Sequence, residues 1–83
     1  MYLEDIVLRL AAVALNKHPD KITPDAPLFY NNEGFDSIAM VEFVLHLESK
    51  FGISIPDHDL DMDIFYSVNT VAAYINSRLI QGS

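Results

Sequence analysis

The chain has 83 residues, 51% of them apolar, no cysteine, and twelve acidic against five basic side chains for a net charge of −7. A chain of this size closes one modest core, leaves little room for a deep catalytic cavity, and without cysteine has neither disulfides nor thiolate metal ligands. Its charge repels nucleic acid phosphates and anionic membrane surfaces and attracts basic protein surfaces, so the expected partner is a protein, not nucleic acid or membrane.

The reading is of a single domain spanning residues 1–83. No apolar run is long enough to span a bilayer, and the start, Met1-Tyr2-Leu3-Glu4-Asp5, lacks the basic opening of a secretory signal. A cytoplasmic protein is expected.

In chain order, Leu3, Ile6, Val7, Leu10 and Ala14 recur at helical spacing, with Glu4 and Asp5 in the first turn, where carboxylates favour the helix dipole. The spacing predicts a first helix over 2–16. Asn16, Lys17, His18 and Pro19 break it, because proline drives the residue before it out of helical geometry. From there to Asp36 the chain reads as a long loop, beyond the roughly 12 to 15 residues usual for unstructured connections. Pro19, Pro24 and Pro27 stiffen this loop, and Ile22, Leu28 and Phe29 offer apolar anchors. An ordered, packed loop is expected.

Ile38, Val41, Val44, Leu45, Leu47 and Phe51 predict a second helix over 37–51, capped by Asp36 and stopped by Gly52. Val68, Val71, Ala72, Ile75 and Leu79 predict the closing helix, with Ser67 as its N-cap and Gln81, Gly82 and Ser83 as a polar end. Between them Asp57, Asp59, Asp61 and Asp63 alternate with His58, Leu60, Met62 and Ile64 in a period of two. Aspartate is a poor strand residue and no second strand pattern pairs with it, so a loop and a short helix near 59–65 are expected, with Leu60 and Ile64 on one face. The fold class is therefore all-α: a four-helix bundle of three main helices and a short third one.

The three histidines are far apart and none accompanies a recognisable nucleophile, so no catalytic triad is expected. His46 lies one turn after Glu42, a weak metal pair better read as solvated side chains. Asp57, Asp59 and Asp61 imitate the first ligands of a calcium loop. Met62, however, stands where that loop needs glycine, and Val68 where it needs a bidentate glutamate, so no metal is expected. What remains is Gly34-Phe35-Asp36-Ser37-Ile38, a serine in the first turn of an apolar helix. By itself it is an ordinary helix-start signal.

The surroundings change that reading. Asp25 to Leu28, Gly34-Phe35-Asp36-Ser37-Ile38, Val41-Glu42-Phe43, Leu47-Glu48, Phe51-Gly52, Ile55-Pro56-Asp57 and a Ser-Val start to the last helix together resemble the acyl carrier and peptidyl carrier family. The family hallmark is Asp-Ser-Leu, and the order and spacing of the other features extend the likeness over nearly the whole chain. The resemblance implies that Ser37 receives a covalent 4'-phosphopantetheine from coenzyme A. A phosphopantetheinyl transferase holding the magnesium does this work, since the chain offers no base beside Ser37 except Asp36. It implies a carrier, not an enzyme, whose reactive sulfur belongs to the cofactor.

A helix N-terminus favours the resulting phosphate by roughly 0.3 to 1 kcal/mol at an exposed site. Asp36 and Glu33 oppose that benefit, which makes sense if they serve the basic groups of a visiting enzyme. The second helix is then the expected docking face, with Asp36, Ile38, Met40, Glu42, Leu45 and Glu48 as contacts. The implied partners are the transferase, an acyl- or aminoacyl-loading enzyme, and a downstream synthase or transferase, met by a monomer.

Ala39 sits where fatty-acid carriers commonly have an acidic residue, Ile38 replaces the usual leucine, and the stretch from His58 to Tyr66 is slightly longer than theirs. These departures point toward discrete carriers of specialised, aminoacyl or D-alanyl pathways. The alternative is a helical adaptor that carries nothing and binds a basic protein through its acidic face.

Overall fold

In the computed structural model, which describes residues 2–31 and 34–81, the chain forms helices α1 (Tyr2–Leu15), α2 (Ser37–Phe51) and α3 (Val68–Gln81). A two-stranded antiparallel ladder, β1 (Tyr30–Asn31) against β2 (Gly34–Phe35), stands just before α2. The helices fall where the apolar periodicity places them, and the architecture is the expected helical bundle. No described helix is long and apolar enough to cross a membrane.

Helix α1 carries Glu4 and Asp5 in its first turn and buries Val7, Ala11 and Ala14. It stops one residue early, before the proline acts. Asn16 takes a left-handed conformation, φ 55°, and the Lys17 N–H reaches back to the Ala12 carbonyl at 2.9 Å. Asparagine tolerates this geometry better than most residues, so it fills the place glycine usually takes.

The long loop is packed, as its prolines and apolar anchors suggest. Pro19–Lys21 form a 3-10 turn whose start is held by the Asp20 N–H donating to His18 Nδ1 at 3.2 Å. Ile22, Leu28 and Phe29 are buried. The Leu28 N–H donates to the Tyr66 carbonyl at 2.9 Å and the Asn69 N–H to the Pro24 carbonyl at 3.0 Å, so the loop is tied to the start of α3. The ladder pairs Tyr30 with Phe35 and Asn31 with Gly34. It was not expected, because two residues per strand carry no readable period. Gly34 sits at φ 114°, a conformation that residues with a side chain rarely adopt.

Helix α2 ends at Gly52, φ 63°, with the Gly52 and Ile53 N–H groups both turned onto the Glu48 carbonyl. Helix α3 starts as predicted from Ser67. The Ser67 N–H donates to Thr70 Oγ1 at 3.0 Å and the Thr70 N–H to Ser67 Oγ at 3.3 Å, a reciprocal cap. The Thr70 hydroxyl in turn donates to the Ile64 carbonyl at 2.8 Å.

The segment from Asp57 to Asp63 is not a strand. The short helix expected near 59–65 is reduced to a 3-10 turn at Asp57–Asp59 followed by turns through Phe65. Asp61 closes the second of these: its carbonyl accepts the Phe65 N–H at 3.0 Å and its Oδ1 the Ile64 N–H at 2.8 Å. A helix this short gains too few hydrogen bonds to offset nucleation, and an aspartate that bonds the nearby backbone favours a turn. Leu60 and Ile64 both still pack on the core, as their spacing requires.

Two sets of tethers orient α2 and α3. Near their starts, Phe29 accepts the Asp36 N–H at 2.7 Å while its neighbour Leu28 bonds Tyr66. Near their ends, Arg78 Nη2 donates to the Ser54 carbonyl at 2.7 Å. The two helices therefore run in the same sense, and α1 packs against both.

Candidate functional site

The start of α2 is held from both sides. The Asp36 N–H is bound by the Phe29 carbonyl at the open end of the ladder, and Asp36 Oδ1 accepts the Ala39 N–H at 3.0 Å as an N-cap. Ser37 follows as the first residue of the helix and is exposed. Because Asp36 supplies the cap, the Ser37 hydroxyl has no capping duty. It stands in the first turn, where backbone N–H groups lack intrahelical partners and the helix dipole is positive.

Asp36, the nearest carboxylate in sequence, already uses one oxygen on the Ala39 N–H. The arrangement suits a hydroxyl that a visiting enzyme modifies, not one that the chain activates for itself. Ser67, the other serine at a helix start, is 2% exposed and its Oγ is bound by the Thr70 N–H. A phosphate-linked arm has room at Ser37 and none at Ser67. Among the described residues, and leaving out its chain neighbours, nothing lies within 4 Å of where a side chain on Gly34 would stand.

The α2 surface sorts the predicted contact residues into two groups. Ile38 is 79% exposed and Leu45 59%, with Glu42 exposed between them. Val41, read from the sequence only as part of the apolar pattern that predicts this helix, is 57% exposed and completes the stripe. At 3.6 residues per turn, positions 38, 41, 42 and 45 lie within about 100° of one another. Met40 does not belong to this face. It lies about 200° round the helix from Ile38, beside Ala39, Phe43, Val44 and Leu47, and is buried in the core.

Glu48 is half-buried, and its Oε2 accepts the Ile55 N–H at 2.7 Å, clipping the chain after α2 back onto the helix. A carboxylate engaged in this way has a structural duty that its spacing did not suggest. Asp36 is half-buried and caps the helix just before Ser37, and Glu33 lies outside the described residues. Sequence reasoning missed Val41 and the aromatic pair Tyr30 and Phe35, which are 49% and 42% exposed with ring centroids 5.6 Å apart. The signal for Val41 was present: α2 carries apolar residues around its whole circumference, more than one buried face can use.

Two aspartates of the 57–63 segment, Asp59 and Asp61, have local work. Asp59 Oδ2 accepts the Tyr74 hydroxyl at 2.6 Å and also faces Arg78 Nη1 at 3.5 Å. Burial, followed by the bond to Asp59, raises the Tyr74 pKa above the ordinary tyrosine value.

Residues 5–75 match the family model described as phosphopantetheine attachment site. The chain is 35% identical over 78 residues to the acyl carrier protein of Helicobacter pylori (strain G27), covering 94% of this chain and 96% of the relative. With the acyl carrier protein of Helicobacter pylori (strain ATCC 700392 / 26695) the identity is 36% over the same coverage. It is also 41% identical over 62 residues to mitochondrial acyl carrier protein 2 of Arabidopsis thaliana. That match covers 72% of this chain but 48% of the relative, so the chain spans about half of that protein's length. The group this family implies is a covalently attached 4'-phosphopantetheine, and its members act with a phosphopantetheinyl transferase and partner enzymes without being enzymes themselves. By both measures, the chain belongs to the phosphopantetheine-bearing acyl carrier protein family.

Proposed function

We propose that Ser37 carries the arm, and that residues 1–83 act as one carrier domain that moves an acyl or aminoacyl group between enzymes of a specialised biosynthetic pathway. The observation that supports this most directly is the exposed Ser37 at the start of α2, left without a capping role by Asp36. When bound, the arm supplies a thiol that holds the group as a thioester. The chain's own part is positional: the first turn of α2 favours the phosphate, and the ladder and cap hold the backbone of that turn in place.

The proposed docking surface is the stripe of Ile38, Val41, Glu42 and Leu45, with Asp36 at the start of the helix. Its apolar side chains give contact area, and its carboxylates together with the net charge of −7 attract a basic partner. Attraction of this kind mainly raises the association rate and weakens with salt, which suits a shuttle that leaves each partner in turn. The specialised pathway is favoured by Ile38, by the 58–66 segment and by Ala39. That alanine is buried, so an acidic residue there would meet the core. The proposal places the protein in the cytoplasm as a monomer.

Incubation with coenzyme A and a broad-specificity phosphopantetheinyl transferase is expected to add one phosphopantetheinyl mass to the wild-type chain and none to Ser37→Ala, read by intact mass spectrometry. An unmodified wild type, or equal modification of the variant, rejects the reading in favour of an adaptor that carries nothing.

A further inference from the structure

The core contains a run of four rings from four different segments: Phe29 in the long loop, Phe43 on α2, Phe65 in the turn before α3, and Tyr74 on α3. Successive centroids are 5.5, 6.2 and 6.2 Å apart, and the contact between Phe43 and Phe65 is edge to face. Phe29, Phe43 and Phe65 are at most 1% exposed. At the Tyr74 end the column is latched by polar groups. The Tyr74 hydroxyl donates to Asp59, Arg78 Nη1 approaches both, and Arg78 Nη2 holds the Ser54 carbonyl.

From this packing we infer that the chain keeps its cargo outside the bundle and is built for short or polar acyl groups, an inference that rests on the carrier reading above. An apolar chain on an arm enters a protein interior only where its burial outweighs the packing lost in opening a path. Each methylene contributes a small increment. Parting α2 from α3 removes a whole ring contact, and behind it the latch ties the 54–59 segment to α3. Short cargo gains too little to open this column, and polar cargo gains nothing. Phe65 is the specificity-determining residue, because it joins the ring on α2 to the ring on α3 and sits on a turn outside either helix.

The test uses the full chain loaded by a transferase from acetyl-, octanoyl- and dodecanoyl-coenzyme A, with intact mass confirming one arm per chain. The melting temperature and the NMR shifts of the Phe43 and Phe65 rings are then followed against acyl length. In the wild type no trend with length and unmoved ring resonances are expected. Phe65→Leu is expected to gain a melting temperature that rises with acyl length. Tyr74→Phe, which keeps the ring and loses only the hydroxyl's bonds to Asp59 and Arg78 while Arg78 still holds the Ser54 carbonyl, is expected to remain insensitive to length. A wild-type melting temperature that climbs with chain length, with shifted ring resonances, overturns the inference while leaving the carrier reading intact. Failure to take up the arm at all overturns the carrier reading and this inference with it.

Discussion

Helices α2 and α3 both begin beside a serine, and the two starts are built in opposite ways. At α3, Ser67 is the cap itself: it is buried, and its hydroxyl and N–H are both matched to Thr70. At α2 the duties are divided, with Asp36 capping the helix and Ser37 standing exposed one residue on. The difference teaches that a serine at a helix start becomes available for chemistry when a neighbour takes over the capping bond. Stability and reactivity are then carried by adjacent residues, and each can be changed alone.

The largest stability effect is expected at the closed start. Thr70→Val removes an oxygen that accepts the Ser67 N–H and donates to Ile64, leaving partly buried groups unpaired, and should cost about 1–3 kcal/mol in urea denaturation. Modification of Ser37 in the folded variant should proceed at the wild-type rate, which sharpens the contrast between the two starts.

At the open start, Asp36→Ala should cost about 1 kcal/mol through loss of the cap, whereas Asp36→Asn should preserve stability, since asparagine caps equally well. If the charge at Asp36 serves a visiting enzyme, the asparagine variant should still be modified more slowly and with a weaker dependence on salt. Equal rates at low salt would remove Asp36 from the docking surface.

Tyr74, one turn beyond Thr70 on α3, gives a pH test that leaves both caps intact. Its folded pKa is raised above the unfolded value, so its contribution to stability is fully present below about pH 10 and is lost as pH rises through the folded pKa. Thermal melts of wild type should fall across that alkaline range, and Tyr74→Phe should flatten the fall.

The smallest stability change is expected on the exposed stripe. Val41→Asp should stay within about 0.5 kcal/mol of wild type, because Val41 is 57% exposed. It should nonetheless slow transfer by partner enzymes. A large loss of stability would show that Val41 is part of the core.

Much of the fold was legible from residue order. The spans of α1, α2 and α3, the caps at Asp36, Ser67 and Gly52, and the anchoring of the loop by Ile22, Leu28 and Phe29 all rest on short-range rules or simple apolarity. The candidate site was legible only in part. Ser37, Asp36, Ile38, Glu42 and Leu45 lie together at the start and outer face of α2, whereas Met40 is core and Glu48 is bound to Ile55. Val41 was not among the expected contacts, because the apolar residues around α2 outnumber what one face can bury and spacing by itself does not say which of them point outward.

What the sequence by itself determined was where helices start and stop, because capping, left-handed stops and apolar periodicity act over a few neighbouring residues. What only the tertiary structure decided was which side of α2 faces inward. That depends on α1 and on Phe29 and Phe65, whose positions are set by loop and turn contacts far away in the chain. The same holds for the bond from Asp59 to Tyr74, which joins residues 15 positions apart and leaves no periodic trace.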